Sequence, residues 1–140
     1  MSGGGIKVVA VVGIALVMAS GVKHHHGHGI LASLDSAPSA GSPAGCRKLE
    51  RLWEKAGGNP ASAQMAASIA MAESGGDPGA TDNNTNGSTD RGYWQINSIH
   101  GAQSTYDPLA NARAAVQISG NGSNWTPWVT YNTGAYAGRC

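Results

Sequence analysis

The sequence predicts a mostly α fold, α+β in class, with one short β-hairpin set into it. Three observations carry this. Stretches near residues 46–56, 60–74 and 107–119 space their apolar residues as helices do and begin or end on capping signals. Between the second and third lies a run so rich in Gly, Asn, Asp, Ser and Thr that it reads as turn and loop, and a short strand-like run follows it. The 140 residues allow one domain. With 21 glycines and no phenylalanine the core is thin, and Trp53, Trp94, Trp125 and Trp128 must supply much of its buried area. A formal charge of +1 with no basic stripe excludes a nucleic-acid binder.

Residues 8–19 are an uncharged apolar run behind Lys7. The run is shorter than the roughly 20 residues of a bilayer span. It suits the apolar part of a secretion signal, with Ala19, Ser20 and Gly21 near a cleavage site. A retained membrane anchor over residues 6–22 and a buried helix are the other readings; under the first two, residues 1–22 stand outside the fold. Residues 23–45 read as a flexible linker, dominated by Ser, Pro, Gly and Ala with Pro38 and Pro43 as breakers. His24, His25, His26 and His28 lie in it without helical spacing and with no cysteine or carboxylate nearby. They read as a solvated tract in preference to a metal site.

The domain is expected over residues 46–140. Its first helix carries Cys46, Leu49, Leu52, Trp53 and Ala56 on one face and stops at Gly57 and Gly58. In the second, Asn59 is the N-cap, Pro60 takes the first helical position, and Met65, Ile69, Ala70 and Ala72 face inward. Gly75 and Gly76 end it, which leaves Glu73 in the last turn. There the negative end of the helix dipole and an apolar setting both penalise ionisation and raise its pKa. A general acid working near neutral pH needs that tuning.

The loop then folds back through the hairpin-like Asn86-Gly87, and Asp90 leads into the strand-like run Tyr93-Trp94-Gln95-Ile96. Around Asp90 stand Asn83, Asn84, Asn86, Ser88 and Thr89, all able to donate hydrogen bonds. One carboxyl in an apolar setting and one in a polar setting is the pattern that separates an acid from a base or nucleophile. Gly92 lets Asp90 face Glu73 across a cleft.

Residues 98–106 read as loop, with His100 at the surface. Asp107 caps and Pro108 opens a helix to about Ser119, with Leu109, Ala112, Ala115, Val116 and Ile118 inward and Gly120 at its end. Thr126 caps a short helix begun by Pro127; Trp125 and Trp128 read as core, with stacking on a sugar ring as the alternative. No Gly-rich phosphate loop follows a strand and no serine sits in a nucleophile elbow.

Glu73-Ser74, then Asn84-Thr85-Asn86-Gly87-Ser88-Thr89-Asp90-Arg91-Gly92-Tyr93-Trp94-Gln95-Ile96-Asn97-Ser98, resemble the active-site region of c-type lysozymes. In that family the catalytic acid ends a helix, and a hairpin follows carrying Asn-Thr-Asp-Gly-Ser-Thr-Asp and Gly-x-x-Gln-Ile-Asn-Ser. Glu-Ser, Gly-x-x-Gln and the late Tyr131-Asn132 also resemble soluble lytic transglycosylases and the lysozyme-like domains of phage tail and lysis proteins. The likeness is strong over residues 69–98, fair over 46–68 and 107–136, and absent before 46. Lysozyme is itself the type case for the carboxylate argument above, so the two are not independent.

The resemblance implies a lysozyme-like fold: a helical lobe, a small hairpin lobe and a cleft between them. It implies a muramidase that degrades peptidoglycan, cutting the β-1,4 bond from N-acetylmuramic acid to N-acetylglucosamine. Glu73 would be the acid and Asp90 the nucleophile or electrostatic stabiliser. Ser74, Asn84, Gln95, Asn97 and Tyr131 would line the substrate, Asn84 also orienting Asp90. No metal or organic cofactor is implied. The protein would act as a monomer or as part of a phage particle, exported, anchored facing the cell wall, or virion-associated. Two alternatives stand: a lytic transglycosylase giving 1,6-anhydromuramic acid products, and a non-catalytic glycan-binding module, which would usually have lost Glu73 or Asp90.

Cys46 and Cys140 bracket the domain. A bridge between them would close a loop of about 94 residues, worth about 4–5 kcal/mol of chain entropy, and would agree with export. Two free thiols are the other reading. C-type lysozymes also tie their ends with a disulfide, but this chain lacks that family's other cysteines.

Overall fold

A computed structural model describes residues 41–140. The leader or anchor over residues 1–22, the histidine tract and the linker as far as residue 40 lie outside them.

Helix α1 is Pro43–Lys55. It begins before Cys46 because Ser42 is its N-cap: the Ser42 side chain accepts from the Gly45 N–H at 3.0 Å, and Pro43 fills the first position. Pro43, read as a breaker, is thus a starter, and the expected linker gives its last residues to this helix. Cys46, Leu49 and Trp53 are its buried face. Gly58 follows it so closely that an added Cβ would meet the Trp53 ring at 2.2 Å.

Asn59 caps the next segment through a 3.0 Å bond from Ala61 N–H. Its first turn, Pro60–Ser62, is 3-10, and helix α2 runs Ala63–Ser74. Alanines at 63, 66, 67 and 70 are buried almost all round, so α1 packs closely along α2. Gly75 ends α2 in the left-handed conformation, at φ 64°.

Strands β1 (Thr81–Asn83), β2 (Thr89–Arg91) and β3 (Ile96–Asn97) form an antiparallel sheet in that order. Asp82 pairs with Asp90, and Asp90 in turn with Asn97. The hairpin turn at Asn86-Gly87 is tight: Asn84 N–H bonds Ser88 O at 2.8 Å, and Gly87 has φ 86°. The strand expected over residues 93–96 is displaced. Tyr93, Trp94 and Gln95 instead form a turn closed by Gln95 N–H to Gly92 O at 3.1 Å. Gly92 forces this, with φ 80° and with an added Cβ only 2.6 Å from Asn111 Nδ2.

Ser98–Gln103 is 3-10 turn, capped by the Asn97 side chain. Helix α3 (Pro108–Ile118) is capped by Asp107, which accepts from Ala110 N–H at 2.8 Å. Its buried face is Asn111, Ala112, Ala114 and Ala115; Leu109, Val116 and Ile118 are only half-buried. Helix α4 is Val129–Asn132, later than expected, because the Thr126 N–H and hydroxyl both turn to Asn124 Oδ1.

The core centres on the four tryptophans. Trp53 lies 6.5 Å from Trp94 and 5.4 Å from Trp125, and Trp125 lies 5.2 Å from Trp128, between ring centroids. All four are buried, so none of these rings is open to stack on a sugar. Cys46 and Cys140 are joined by a disulfide across a separation of 94 residues, tying α1 to the end of the chain.

Candidate active site

Glu73 stands in the last turn of α2, half-buried. Its setting is not the purely apolar one expected: Thr130 Oγ1 donates to Glu73 Oε1 at 2.7 Å. Thr130 belongs to α4, which packs against α2. The placement of α4 follows from its neighbours. Trp128 Nε1 bonds Trp94 O at 2.8 Å, and Tyr131 stacks on Tyr136 with centroids 5.3 Å apart. Tyr131 is half-buried in that stack. Ser74 closes the helix; its hydroxyl donates to Ala70 O at 2.8 Å and accepts from Gly76 N–H at 3.2 Å.

Asp90 sits at the centre of β2, 3% exposed. A buried carboxylate is costly unless its oxygens are paired. Asn97 Nδ2 donates to Oδ1 at 2.7 Å, and Asn84 Nδ2 donates to Oδ2 at 3.1 Å. Both amides also reach Ser88 Oγ, at 3.0 and 3.1 Å, and Ser88 Oγ donates to Asn86 Oδ1 at 2.7 Å. The hairpin's polar residues thus form one network built around Asp90. Asp82 opposes Asp90 in the strand register, which puts both side chains on one face of the sheet.

Gln95 and Asn97 spend their amides inside the protein. Gln95 Nε2 donates to Ala80 O and Gly92 O, both at 2.9 Å. Asn97 uses Nδ2 on Asp90 and Ser88, and its Oδ1 accepts from Ile99 N–H at 2.9 Å. Both carbonyls also accept backbone N–H groups, Ala80 O from Gly92 at 2.9 Å and Gly92 O from Gln95 at 3.1 Å, so the Gln95 amide adds a second donor to each. The N–H groups of both amides are thus engaged within the protein.

Helix and hairpin are pinned together. Trp94 Nε1 donates to Ala66 O of α2 at 3.0 Å, and Trp94 N–H donates to Asn111 Oδ1 of α3 at 2.9 Å. The residue four after Asp90 is thus bonded to the helix that ends in Glu73. Three residues of this arrangement were not singled out in the sequence: Thr130, Asn111 and Asp82. Asn111 had a signal, an amide set among the alanines of its helix. Thr130 precedes the Tyr131-Asn132 pair that the resemblance marks. Asp82 had none.

Among the described residues no group of three or more His, Cys, Asp or Glu side chains is placed to hold a metal ion, and no helix is long and apolar enough to cross a membrane. The model of a family described as a lysozyme-like domain matches residues 50–130, a span that includes Glu73, the hairpin and Thr130. No curated protein matches the chain.

Proposed function

The chain belongs to the lysozyme-like domain family, and on that premise we propose that it is a muramidase acting on bacterial peptidoglycan. The bond cut is the β-1,4 link from N-acetylmuramic acid to N-acetylglucosamine. The observation that carries the reading is the cradle of Asp90. Two asparagine amides hold its carboxylate at 2.7 and 3.1 Å on a hairpin pinned through Trp94 to the helix that ends in Glu73. A charge fixed before the reaction stabilises developing positive charge without reorganisation.

In the proposed mechanism Glu73 protonates the leaving glycosidic oxygen. Asp90 faces the oxocarbenium-like carbon, as a nucleophile or as a fixed counter-charge. Glu73, now a carboxylate, takes a proton from the incoming water, and configuration is retained. No cofactor enters. Asn84 and Asn97 orient Asp90, and Tyr131, next in sequence to the Thr130 that bonds the acid, would line the substrate. The disulfide fits an oxidising compartment outside the cytoplasm, where the enzyme would meet its substrate as a secreted monomer, a wall-facing anchored protein or part of a phage particle.

One observation favours a second reading. Asp90 is 3% exposed and both of its oxygens accept amide hydrogen bonds. If it only shapes the hairpin, the substrate's own 6-hydroxyl attacks, and the protein is a lytic transglycosylase. Either chemistry needs Glu73. Clearing of a cell-wall suspension by the native chain and not by Glu73→Gln is the expected result. Equal clearing by both would end the catalytic reading, and no clearing by a folded native chain would point to glycan binding alone.

A further inference from the structure

The carboxyl of Glu73 is held from one side by a hydroxyl that belongs to no catalytic pattern in the sequence. Thr130 Oγ1 is the donor at 2.7 Å, and Thr130 is 8% exposed. We propose that Thr130 is a positioning residue for the acid: by donating to Oε1 it keeps the transferable proton on Oε2 and aims that oxygen at the glycosidic bond. The inference rests on Glu73 being the acid.

Donor and acceptor capacity decides where the proton sits. A protonated carboxyl has one O–H and one bare oxygen, and a donating hydroxyl pairs with the bare one. With Oε1 taken, the proton resides on Oε2. In the reaction the proton passes from Oε2 to the leaving oxygen, the carbon–oxygen bond breaks, and its electron pair stays with that oxygen. Glu73 is then an anion, and its bond from Thr130 becomes charge-assisted and stronger. An interaction that strengthens as the proton leaves lowers the barrier to transfer, not merely the energy of the bound state.

The geometry suits a fixed donor. Thr130 is β-branched and stiff at its first torsion. Its short helix is held at both ends: Trp128 Nε1 to Trp94 O at 2.8 Å just before it, Asn132 Nδ2 to Thr126 O at 2.9 Å at its last residue. Its carbonyl also accepts from Tyr136 N–H at 3.2 Å.

The test uses the full chain with Thr130→Val, which keeps the shape and loses the hydroxyl, and Thr130→Ser, which keeps the hydroxyl. Thr130→Ala serves as a second hydroxyl-free variant should valine disturb folding. Rates on soluble peptidoglycan fragments are measured against pH, and the Glu73 carboxyl is titrated by carbon NMR. The valine variant should lose about 10–100-fold in kcat, within what a positioned proton transfer contributes, with little change in KM. Removing a donor from the anion raises the Glu73 pKa, so the alkaline limb of activity and the NMR midpoint should move up together. Serine should restore most of both. A merely structural threonine would lower the melting temperature without shifting the limb or separating valine from serine. Folded hydroxyl-free variants with native kcat and an unmoved limb, beside an inactive Glu73→Gln, would overturn the proposal. Native activity in Glu73→Gln would instead remove the reading it rests on.

Discussion

Replacing Asn111 with alanine removes three hydrogen bonds from the point where hairpin, loop and α3 meet. Oδ1 accepts from Trp94 N–H at 2.9 Å; Nδ2 donates to Arg91 O at 2.8 Å and to Thr105 O at 2.9 Å. The residue is 0% exposed, so water cannot readily take over. An orphaned buried N–H costs about 1–3 kcal/mol, and each lost bond to a carbonyl, which keeps a second lone pair, about 1 kcal/mol. The sum is about 3–5 kcal/mol. At about 5 °C per kcal/mol for a domain of roughly 100 residues, the thermal midpoint should fall by about 15–25 °C. Asn111→Asp should fare no better: it can still accept from Trp94 but sets a carboxylate oxygen against two carbonyls. The assay is a calorimetric melt with the disulfide intact. A drop below about 5 °C for alanine would refute the reasoning, because the turn after β2 would then be held by something else.

Four further outcomes follow from the same geometry. Gly92→Ala places a Cβ 2.6 Å from Asn111 Nδ2 at φ 80°; the left-handed conformation alone costs about 1–2 kcal/mol, so the melting point should drop by at least about 5 °C. Replacing both Cys46 and Cys140 with serine opens a loop spanning 94 residues. The expected loss is about 4–5 kcal/mol, or roughly 20 °C in a circular dichroism melt, and an unchanged melt would deny the disulfide its role. Asn97→Ala removes the 2.7 Å donor from the buried Asp90 and should cost about 1.5–3 kcal/mol in a denaturant titration. Asn84→Ala should cost less, since its bond to Asp90 is longer, at 3.1 Å, and half-exposed asparagine lets water in.

Much of this molecule was legible from local signals. Asn59, Asp107 and Gly75 mark helix ends by side-chain chemistry that acts within a few residues, and the structure uses each of them as such. Asn86-Gly87 marks a tight turn for the same reason. Reading failed where a distant residue decides the outcome. The apolar pattern of Tyr93-Trp94-Gln95-Ile96 suits a strand, but the chain turns at Gly92, packed against Asn111 of α3, and Asn111 holds the turn through the Trp94 N–H. The internal partners of Gln95 and Asn97, two carbonyls and a carboxylate, could not be read from the sequence either. The hydroxyl on Glu73 comes from a residue 57 positions away, and no spacing rule spans that distance. Pro43 departs from expectation for a simpler reason: proline breaks a helix interior but begins a helix well.

The central claim, that Glu73 and a cradled Asp90 hydrolyse the glycan strand together, is tested most directly by mass spectrometry of the fragments released from purified peptidoglycan. The account predicts products with a free reducing muramic acid from the native chain, and a large loss of release on Asp90→Asn in a protein that still folds. Products ending in 1,6-anhydromuramic acid, with Asp90→Asn nearly as active as the native chain, would contradict it and leave Asp90 as a residue that shapes the hairpin.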